Sequence, residues 1–327
     1  QSQVGGCIAR VEFSGYDFEP GMGLYTSFGA GEVYDTLFSQ LPVAAPEATL
    51  LTSPYVLRRA DRSDVTLATD DLYTIAGGPA TLAERLAESI KQSGGNLRLN
   101  SPVLRLAFDD AGRATGVDLL SGERVFAKKA IVSNLTIWDT YGKLVGLNRT
   151  PAEVKKHLKE LRGAGVYVVY AGIEESAVAR LPAELMRVED DEGEFTMAMS
   201  SSGVAPPGKR AVTFTTHTEV DSWFAYQSSE EDYEEWDQDA LARFWTRLHA
   251  ALPELGSDIE VIETANPRTY YDSTRRKLGM VLGIEAAVEL GHKTSIPNVF
   301  MIGDTVSSEA RVEAVVQSAI SLTKTIV

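Results

Sequence analysis

Two glycine motifs near opposite ends of the chain have the residue types and spacing of a ligand-binding turn. Gly5 and Gly6 precede an apolar stretch near the N-terminus, and Gly303 and Asp304 follow the apolar run NVFMI near the C-terminus. Glycine permits close backbone approach, and an aspartate beyond a buried strand can accept a hydrogen bond from a ribose or ribityl hydroxyl. Asp304 has a second interpretation, as a helix N-cap or turn residue, and the motif alone leaves both open.

The chain offers few residues for acid–base, nucleophilic or metal chemistry. Its four histidines are far apart and show no HExxH spacing, and its single cysteine, Cys7, excludes an intramolecular disulfide and a thiolate metal cluster. No carboxylate pair and no Ser-His-Asp set stands out. The sequence therefore predicts no metal site and assigns no catalytic residue.

Composition narrows the class of protein and of partner. The 327 residues are 44% hydrophobic and 24% charged, which predicts a large core and about two domains. The net charge of −15 argues against nucleic acid and against simple adhesion to an anionic bilayer. No stretch reaches about 18 consecutive apolar residues, so no membrane-spanning helix is predicted. The single cysteine and the lack of a signal-peptide pattern favour a cytoplasmic location.

Short strands and one amphipathic helix are predicted in the N-terminal third. Alternating apolar residues indicate strands at 7–13 and 16–21, and two further strands within 49–68. A helix begins near residue 81, carries leucine and isoleucine at helical spacing, and ends at Gly94-Gly95. A strand is predicted directly after it, at 96–100.

The remainder of the chain is predicted to be β-rich in its middle. A three-stranded meander over 103–129 leads into a buried strand at 130–133. Three β-rich runs lie between 165 and 220, and an acidic helix at 230–252 and a strand at 259–264 follow. These elements predict a second, mostly antiparallel layer.

The order of these parts resembles the FAD-dependent amine oxidase and phytoene desaturase superfamily. The likeness rests on GG followed by GYDFEPG, on YTIAGGPATLAERL before a helix, on SNLTIWDTYGKL after the meander, and on IPNVFMIGD before the last helix. The carotenoid isomerase and desaturase branch is the most similar. Because the motifs occur in the same order over most of the chain, the set is far more specific than any one of them.

The resemblance implies an α/β fold with two parts. One is an FAD/NAD(P)-binding Rossmann-like domain that lacks its N-terminal βαβ unit, built from residues 1–48, 72–145 and 290–327. The other is a β-rich α+β substrate-binding domain, built from residues 49–71 and 146–289. The family's first strand, GxGxxG turn and helix would precede the glycine pair, and we expect that unit to be either outside this chain or lost from the protein.

The resemblance also implies which residues contact FAD. They are Gly5, Gly6, Val103, Ser133, Asn134, Gly303, Asp304, Val312 and Glu313. The glycine pair would lie near the pyrophosphate, Val103 beside the adenine, and Asp304 at the ribityl or phosphate region. Val312 and Glu313 would lie under the flavin, where the N–H groups of a helix N-terminus favour partial negative charge on the flavin edge.

Three positions leave alternatives open. Cys7 stands where the family commonly has a basic residue, and Arg311 stands where it has a glycine near the flavin. The Arg275-Arg276 pair either faces the flavin or an anionic substrate end, or lies in a solvated turn, which is the favoured interpretation.

The function implied is that of an FAD-dependent desaturase-like or isomerase-like oxidoreductase. Its substrate would be an apolar polyene or isoprenoid-like small molecule, and peripheral membrane contact would give access to it. Two alternatives are an amine or amino-acid oxidase of the same superfamily, and a non-catalytic remnant that serves as an interaction protein. The sequence identifies neither the electron acceptor nor the oligomeric state.

Overall fold

A computed structural model describes residues 1–20, 25–225, 230–281, 284–285, 291–306 and 311–326. The strands are β1 (Val11–Phe13), β2 (Tyr16–Phe18), β3 (Ala48–Leu50), β4 (Tyr55–Arg58), β5 (Asp64–Thr66), β6 (Tyr73–Ile75), β7 (Val103–Phe108), β8 (Ala114–Leu119), β9 (Arg124–Phe126), β10 (Ile131–Ser133), β11 (Arg162–Gly163), β12 (Gly165–Glu174), β13 (Leu185–Asp190), β14 (Gly193–Met199), β15 (Lys209–Thr218), β16 (Ile259–Ala265), β17 (Ile284–Glu285) and β18 (Val299–Met301).

The helices are α1 (Val33–Phe38), α2 (Ala80–Gln92), α3 (Ile137–Asp139), α4 (Ala152–Glu160), α5 (Glu175–Val178), α6 (Ser222–Ala225), α7 (Glu230–Ala251), α8 (Pro267–Thr274) and α9 (Val312–Ile326). A π-helical segment, Thr140–Gly146, continues α3, and short 3-10 turns occur at Gly6–Ile8, Pro253–Leu255 and Lys277–Gly279. Among the helices in the described ranges, none is both long and apolar enough to cross a membrane.

A seven-stranded sheet in the order β16-β12-β15-β14-β13-β4-β5 is the largest element of the fold. Its pairs are antiparallel except β13 and β4, which run parallel. The strand β12, which is paired on both sides, is rich in β-branched and aromatic residues, and nine of its ten residues are buried. One of its faces packs with α7 through Phe244 and Leu248, and the other packs with Tyr16 and Phe18 of β2. Both faces of the sheet are therefore covered.

All seven strands of this sheet come from the two ranges predicted for the substrate domain, 49–71 and 146–289. The structure confirms the predicted β-rich middle and the acidic helix, which is α7. The parallel addition of β4 to β13 was not predicted from the sequence. The division into two domains stays a prediction.

Smaller elements make up the rest of the fold. β10 and β18 form a two-stranded parallel sheet, and β7, β8 and β9 form the predicted meander. The meander packs on this pair through Leu106 and Ala114, which share an apolar cluster with Val299 and Met301. Helices α1, α2 and α9 share a second cluster, and its buried members include Tyr34, Leu82 and Val316.

The strand predicted at 96–100 is wrong, because this stretch is irregular in the structure. A strand exists only where a neighbouring strand accepts and donates its backbone bonds. Here the backbone N–H of Asn100 donates instead to the carbonyl of Gln1, at 2.9 Å between the two atoms. The apolar alternation of Leu97 and Leu99 was therefore an insufficient signal for a strand.

Candidate functional site

The parallel strands β10 and β18 end side by side, and this brings three of the predicted site residues together. The backbone N–H of Ile302 donates to the carbonyl of Ser133 at 2.9 Å. Gly303 then adopts a φ of +108°, and a Cβ placed on it would lie 3.6 Å from the carbonyl oxygen of Asn134. Because L side chains rarely adopt this conformation, the turn at Gly303 is specific to glycine. Ser133, Asn134 and Gly303 therefore form one backbone edge.

Helix α9 contacts this edge through Ser318. The N–H of Gly303 is 3.4 Å from the hydroxyl oxygen of Ser318, which lies on α9. The helix has 15 residues, and its first turn carries Val312 and Glu313. Val312 packs against the apolar cluster around Tyr34. The N-terminal end of α9 is electropositive because its first N–H groups have no partners within the helix.

Glu313 is a buried acid with one oxygen in use. Its Oε1 accepts hydrogen bonds from the backbone N–H and from the hydroxyl of Thr26, both at 2.6 Å. Its Oε2 is buried and has no hydrogen-bond partner in the part of the chain that the structure describes. The Tyr34 hydroxyl is buried and unpartnered in the same way. Burial, and then the charge of Glu313, raise the pKa of Tyr34, so the phenol stays protonated as a donor.

This pair of unpartnered groups is the test of whether the residues fit FAD. Leaving a buried polar atom without a partner costs about 1–3 kcal/mol, so such atoms generally face a group that completes them. A carboxylate oxygen accepts, and FAD carries ribityl hydroxyls and a ring N–H that donate. With the glycine edge at Gly303 and the α9 N-terminus, the residues present fit this cofactor.

Asp304 does not stand alone beyond β18. Its Oδ2 lies 2.5 Å from Nη2 of Arg276, and its Oδ1 lies 3.4 Å from Nη1. The Nε of Arg276 donates to the carbonyl of Met280 at 2.6 Å. The Arg276 side chain is 14% exposed, whereas that of Arg275 is 67% exposed and pairs with Asp272. The solvated-turn interpretation is therefore wrong for Arg276, although Arg275 is solvent-exposed as that interpretation requires.

The glycine pair lies close to this ion pair. Gly5 and Gly6 have φ angles of +106° and +60°, and they enter the 3-10 turn Gly6–Ile8, which packs against α8. Burial raises the pKa of the Cys7 thiol, while the charge of Arg276 lowers it and that of Asp304 raises it further. The turn that follows the N-terminal glycine pair therefore lies in the neighbourhood of the Arg276–Asp304 ion pair.

Asp139 is a buried residue that sequence reasoning did not assign to the site. Its Oδ2 accepts from the Thr136 hydroxyl at 2.6 Å and from the backbone N–H of Lys277 at 2.8 Å, and its Oδ1 lies 2.8 Å from Nζ of Lys143. These bonds attach the WDTYGKL segment to the loop that carries Arg276. The signal was available, because an aspartate and a lysine four residues apart occur within a motif that carried the family resemblance.

Val103 is exposed to solvent, unlike the buried site residues Ser133 and Glu313. It begins β7, pairs with Leu119 of β8 and is 43% exposed. Its assignment to the adenine stays a prediction, as do the other predicted FAD contacts. Arg311, the residue that replaces the family's glycine near the flavin, is exposed just before α9.

Comparisons with known proteins identify the family. A family model described as flavin containing amine oxidoreductase matches residues 26–326. The chloroplastic prolycopene isomerase of Arabidopsis thaliana is 27% identical over 248 residues, which cover 70% of this chain and 41% of that protein. The neurosporene-forming phytoene desaturase of Cereibacter sphaeroides is 35% identical over 97 residues, 29% of this chain and 18% of that protein. The solved structure of an oxidoreductase from Methanosarcina mazei superposes with a TM-score of 0.71 at 12% identity, covering 98% of this chain and 92% of that chain.

These findings confirm the predicted superfamily, its desaturase and isomerase branch, and the α/β fold with a β-rich part. They also confirm the prediction of FAD, since a flavin is the cofactor that the family description names. The chain spans about two fifths of the length of the prolycopene isomerases that it matches. The matched range includes Asn134, Gly303 and Glu313 and does not include the glycine pair. This chain belongs to the flavin-containing amine oxidoreductase family.

Proposed function

We propose that this protein is an FAD-dependent oxidoreductase of the desaturase and isomerase type that acts on an apolar polyene or isoprenoid-like small molecule. The observation that carries the proposal is the buried Glu313 carboxylate in the first turn of α9, the helix whose Ser318 contacts the glycine edge at Gly303; among the described residues, Oε2 of Glu313 has no hydrogen-bond partner. The similarity to a prolycopene isomerase and to a phytoene desaturase supports the class of substrate.

Each residue of the site would have a defined part in holding the cofactor. Gly303 and Asn134 would let the cofactor approach the ends of β10 and β18, Asp304 would accept from a hydroxyl, and Glu313 would accept through Oε2. When bound, FAD supplies the hydride or electron chemistry, and the protein supplies orientation, polar tuning and exclusion of water. No acid or base in the protein is assigned to this chemistry.

The same proposal includes a cytoplasmic location with peripheral membrane contact, because a polyene substrate dissolves in the bilayer rather than in water. The net charge of −15 gives no electrostatic attraction to anionic lipid, so the contact would be apolar and transient. Sedimentation with neutral phosphatidylcholine vesicles that carry the polyene, compared with vesicles without it, measures this contact.

The test of the proposed function begins with the protein made from its complete reading frame. The purified protein is expected to be yellow, with a flavin absorbance maximum at about 450 nm. A cis-polyene substrate is then expected to change isomeric state, or to lose hydrogen if an electron acceptor is added, with the products resolved by chromatography. A folded, colourless protein that takes up no added FAD would refute the proposal.

The amine oxidase alternative is an outcome of the same experiment. The family description names amine oxidoreductases, but the curated relatives reported above are an isomerase and a desaturase. A flavin-containing protein that released peroxide with small amines and left polyenes unchanged would establish this alternative.

A further inference from the structure

The guanidinium of Arg276 is largely shielded from solvent and pairs with Asp304, the residue that follows Gly303. It is 14% exposed and stays charged at every pH at which the protein is folded. Burial lowers its pKa, and the charges of Asp304, Cys7 and Asp139 together outweigh that effect. A permanent charge held away from water requires a structural or a ligand-binding reason.

The backbone around Arg276 is strained in a way that directs this side chain inward. Arg275 and Leu278 adopt φ angles of +58° and +51°, which non-glycine residues rarely do. Gly279 has a φ of +62°, and a Cβ there would collide with the carbonyl of Pro267. Because backbone strain of this kind concentrates at functional sites, the observed angles point to a function for the loop.

The hydrogen bonds of Arg276 leave part of its capacity to donate unused. A guanidinium has five N–H donors. Among the described residues, one of these donors bonds the Met280 carbonyl and two face the Asp304 carboxylate. Two N–H donors therefore remain, one on each Nη atom, and a guanidinium fork with free donors is suited to a phosphate.

A second arginine near the glycine pair provides a contrast. Arg10 faces three carboxylates, those of Glu12, Asp17 and Glu84, at 2.9–3.6 Å. Among the described residues, Arg276 forms an ion pair with one carboxylate, that of Asp304, while Asp139 is paired with Lys143 at 2.8 Å. In a chain with a net charge of −15, an anionic ligand depends on a local cation, and fewer carboxylates offset the charge of Arg276 than that of Arg10.

We propose that Arg276 binds a phosphate group of FAD directly, beside the Gly5-Gly6 turn. The inference rests on the proposed function, since it concerns how the same cofactor is held. A Cβ on Gly5 would lie 2.8 Å from the Cα of Ala9, so the turn itself requires this glycine, whereas a Cβ on Gly6 would have no atom nearer than 3.8 Å and this position leaves room for a phosphate. The N–H groups of Ile8 and Ala9 close the turn by donating to the carbonyls of Gly5 and Gly6. Asp304, held by the same guanidinium, stays oriented for a cofactor hydroxyl.

The test compares two flavins that differ in their phosphates. The protein from the complete reading frame, freed of cofactor, is titrated with FAD and with riboflavin, which has no phosphate, and flavin fluorescence reports binding. Arg276→Gln is expected to weaken FAD binding about tenfold or more and riboflavin binding by less than about threefold. Arg275→Gln is the matched control, because this neighbouring arginine is exposed and pairs with Asp272, and its FAD affinity is expected to stay within about twofold of the wild type.

A double-mutant cycle with Asp304→Asn separates direct binding from an effect through Asp304. If Arg276 binds phosphate, Arg276→Gln weakens FAD binding in the Asp304→Asn background as well. If Arg276→Gln has no effect in that background, the arginine acts only by neutralising Asp304, and the inference is overturned. If circular dichroism shows that Arg276→Gln does not fold, Arg276→Lys replaces it. This variant is expected to lose less affinity for FAD than Arg276→Gln and no affinity for riboflavin.

The failure of the inference and the failure of the proposed function give different results. A wild type that binds neither FAD nor riboflavin refutes both. A wild type that binds FAD, and whose ratio of FAD to riboflavin affinity is unchanged by Arg276→Gln or by Arg276→Lys, overturns the inference alone.

Discussion

The seven-stranded sheet and the candidate cofactor site are built from different kinds of contact. The sheet buries apolar side chains against one another, and Met186, Val212 and Phe214 are fully buried within it. The cofactor site contains sheets of two and three strands, and its interior holds the acids Glu313 and Asp139 and the ion pair between Arg276 and Asp304. Apolar packing stabilises the first region, whereas hydrogen bonds and ion pairs between buried polar groups stabilise the second.

This difference indicates at which residues the free energy of unfolding and the affinity for flavin can be changed independently. A substitution in the sheet changes packing that no cofactor touches, so it is expected to lower the free energy of unfolding and to leave flavin affinity unchanged. A substitution at the polar site removes a partner that a ligand would share, so it is expected to change both quantities. The predictions below test that distinction, beginning with the largest effect.

Phe214→Ala is expected to lower the free energy of unfolding by about 3–5 kcal/mol, because it leaves a cavity between β12, β14 and α7. Phe214→Leu keeps more of the volume and is expected to cost less. Urea denaturation measures both. FAD affinity of the folded variant should equal that of the wild type, and a loss of affinity would show that the two regions are coupled.

Glu313→Ala is expected to lower the free energy of unfolding by about 1–3 kcal/mol, because the N–H and hydroxyl of Thr26 lose their buried acceptor. It should also weaken FAD binding, since Oε2 is removed. Glu313→Gln keeps an acceptor oxygen for Thr26 and is the matched control, with a smaller loss of stability. Thermal unfolding with and without FAD measures the two effects, and equal shifts in both conditions would exclude a contact with the cofactor.

Gly303→Ala is expected to lower the free energy of unfolding by about 1–2 kcal/mol, because alanine is strained at a φ of +108°. Gly122→Ala is the control, since Gly122 has a φ of +88° and no neighbouring atom within 4 Å of a Cβ. The two variants should lose similar stability in urea, but only Gly303→Ala should weaken FAD binding. If both bind FAD as the wild type does, the backbone edge at Gly303 is not part of the cofactor site.

Glu19→Gln is expected to have the smallest effect, and it is a change in pH dependence. Burial raises the pKa of Glu19, while hydrogen bonds from Tyr25 and Ser201 lower it in part. The folded protein therefore binds this proton more tightly than the unfolded chain does, and the contribution of Glu19 to stability is greatest at low pH and lost as pH rises through its folded-state pKa. The variant should show a shallower fall in unfolding free energy as the pH rises above 4.5, the ordinary pKa of a glutamate. An unchanged slope would contradict the raised pKa.

The sequence predicted the elements whose signals are local. The helical spacing of Leu82 and Leu86 located α2, and the β-branched and aromatic run at 165–173 located β12. The parallel pairing of β4 with β13 could not be read, because it depends on which distant strand presents a compatible edge. The strand predicted at 96–100 failed for the same reason, since strand pattern does not supply a partner.

The site was predictable in part. The positions of Gly303 and Asn134 at neighbouring strand ends follow from the order of motifs that the family shares. The burial of Arg276 does not, because two arginines in a turn usually indicate solvent exposure. The pair is divided by the left-handed φ of Arg275, which points one guanidinium outward to Asp272 and lets the other reach Asp304. A backbone angle of this kind has no signature in residue type when the residue is not glycine.

The parallel junction of β4 and β13 also has a consequence for the order in which the chain folds. β4 is synthesised about 130 residues before β13, the strand with which it pairs, and β5 pairs with β4 alone. Until β13 is made, the β4 edge presents unpaired backbone groups to other chains, and closing so long a loop is slow. Ribosome-bound intermediates that end between these two strands should therefore be the stage at which a chaperone is most needed, and pulse-labelling of nascent chains would reveal a delay at that length.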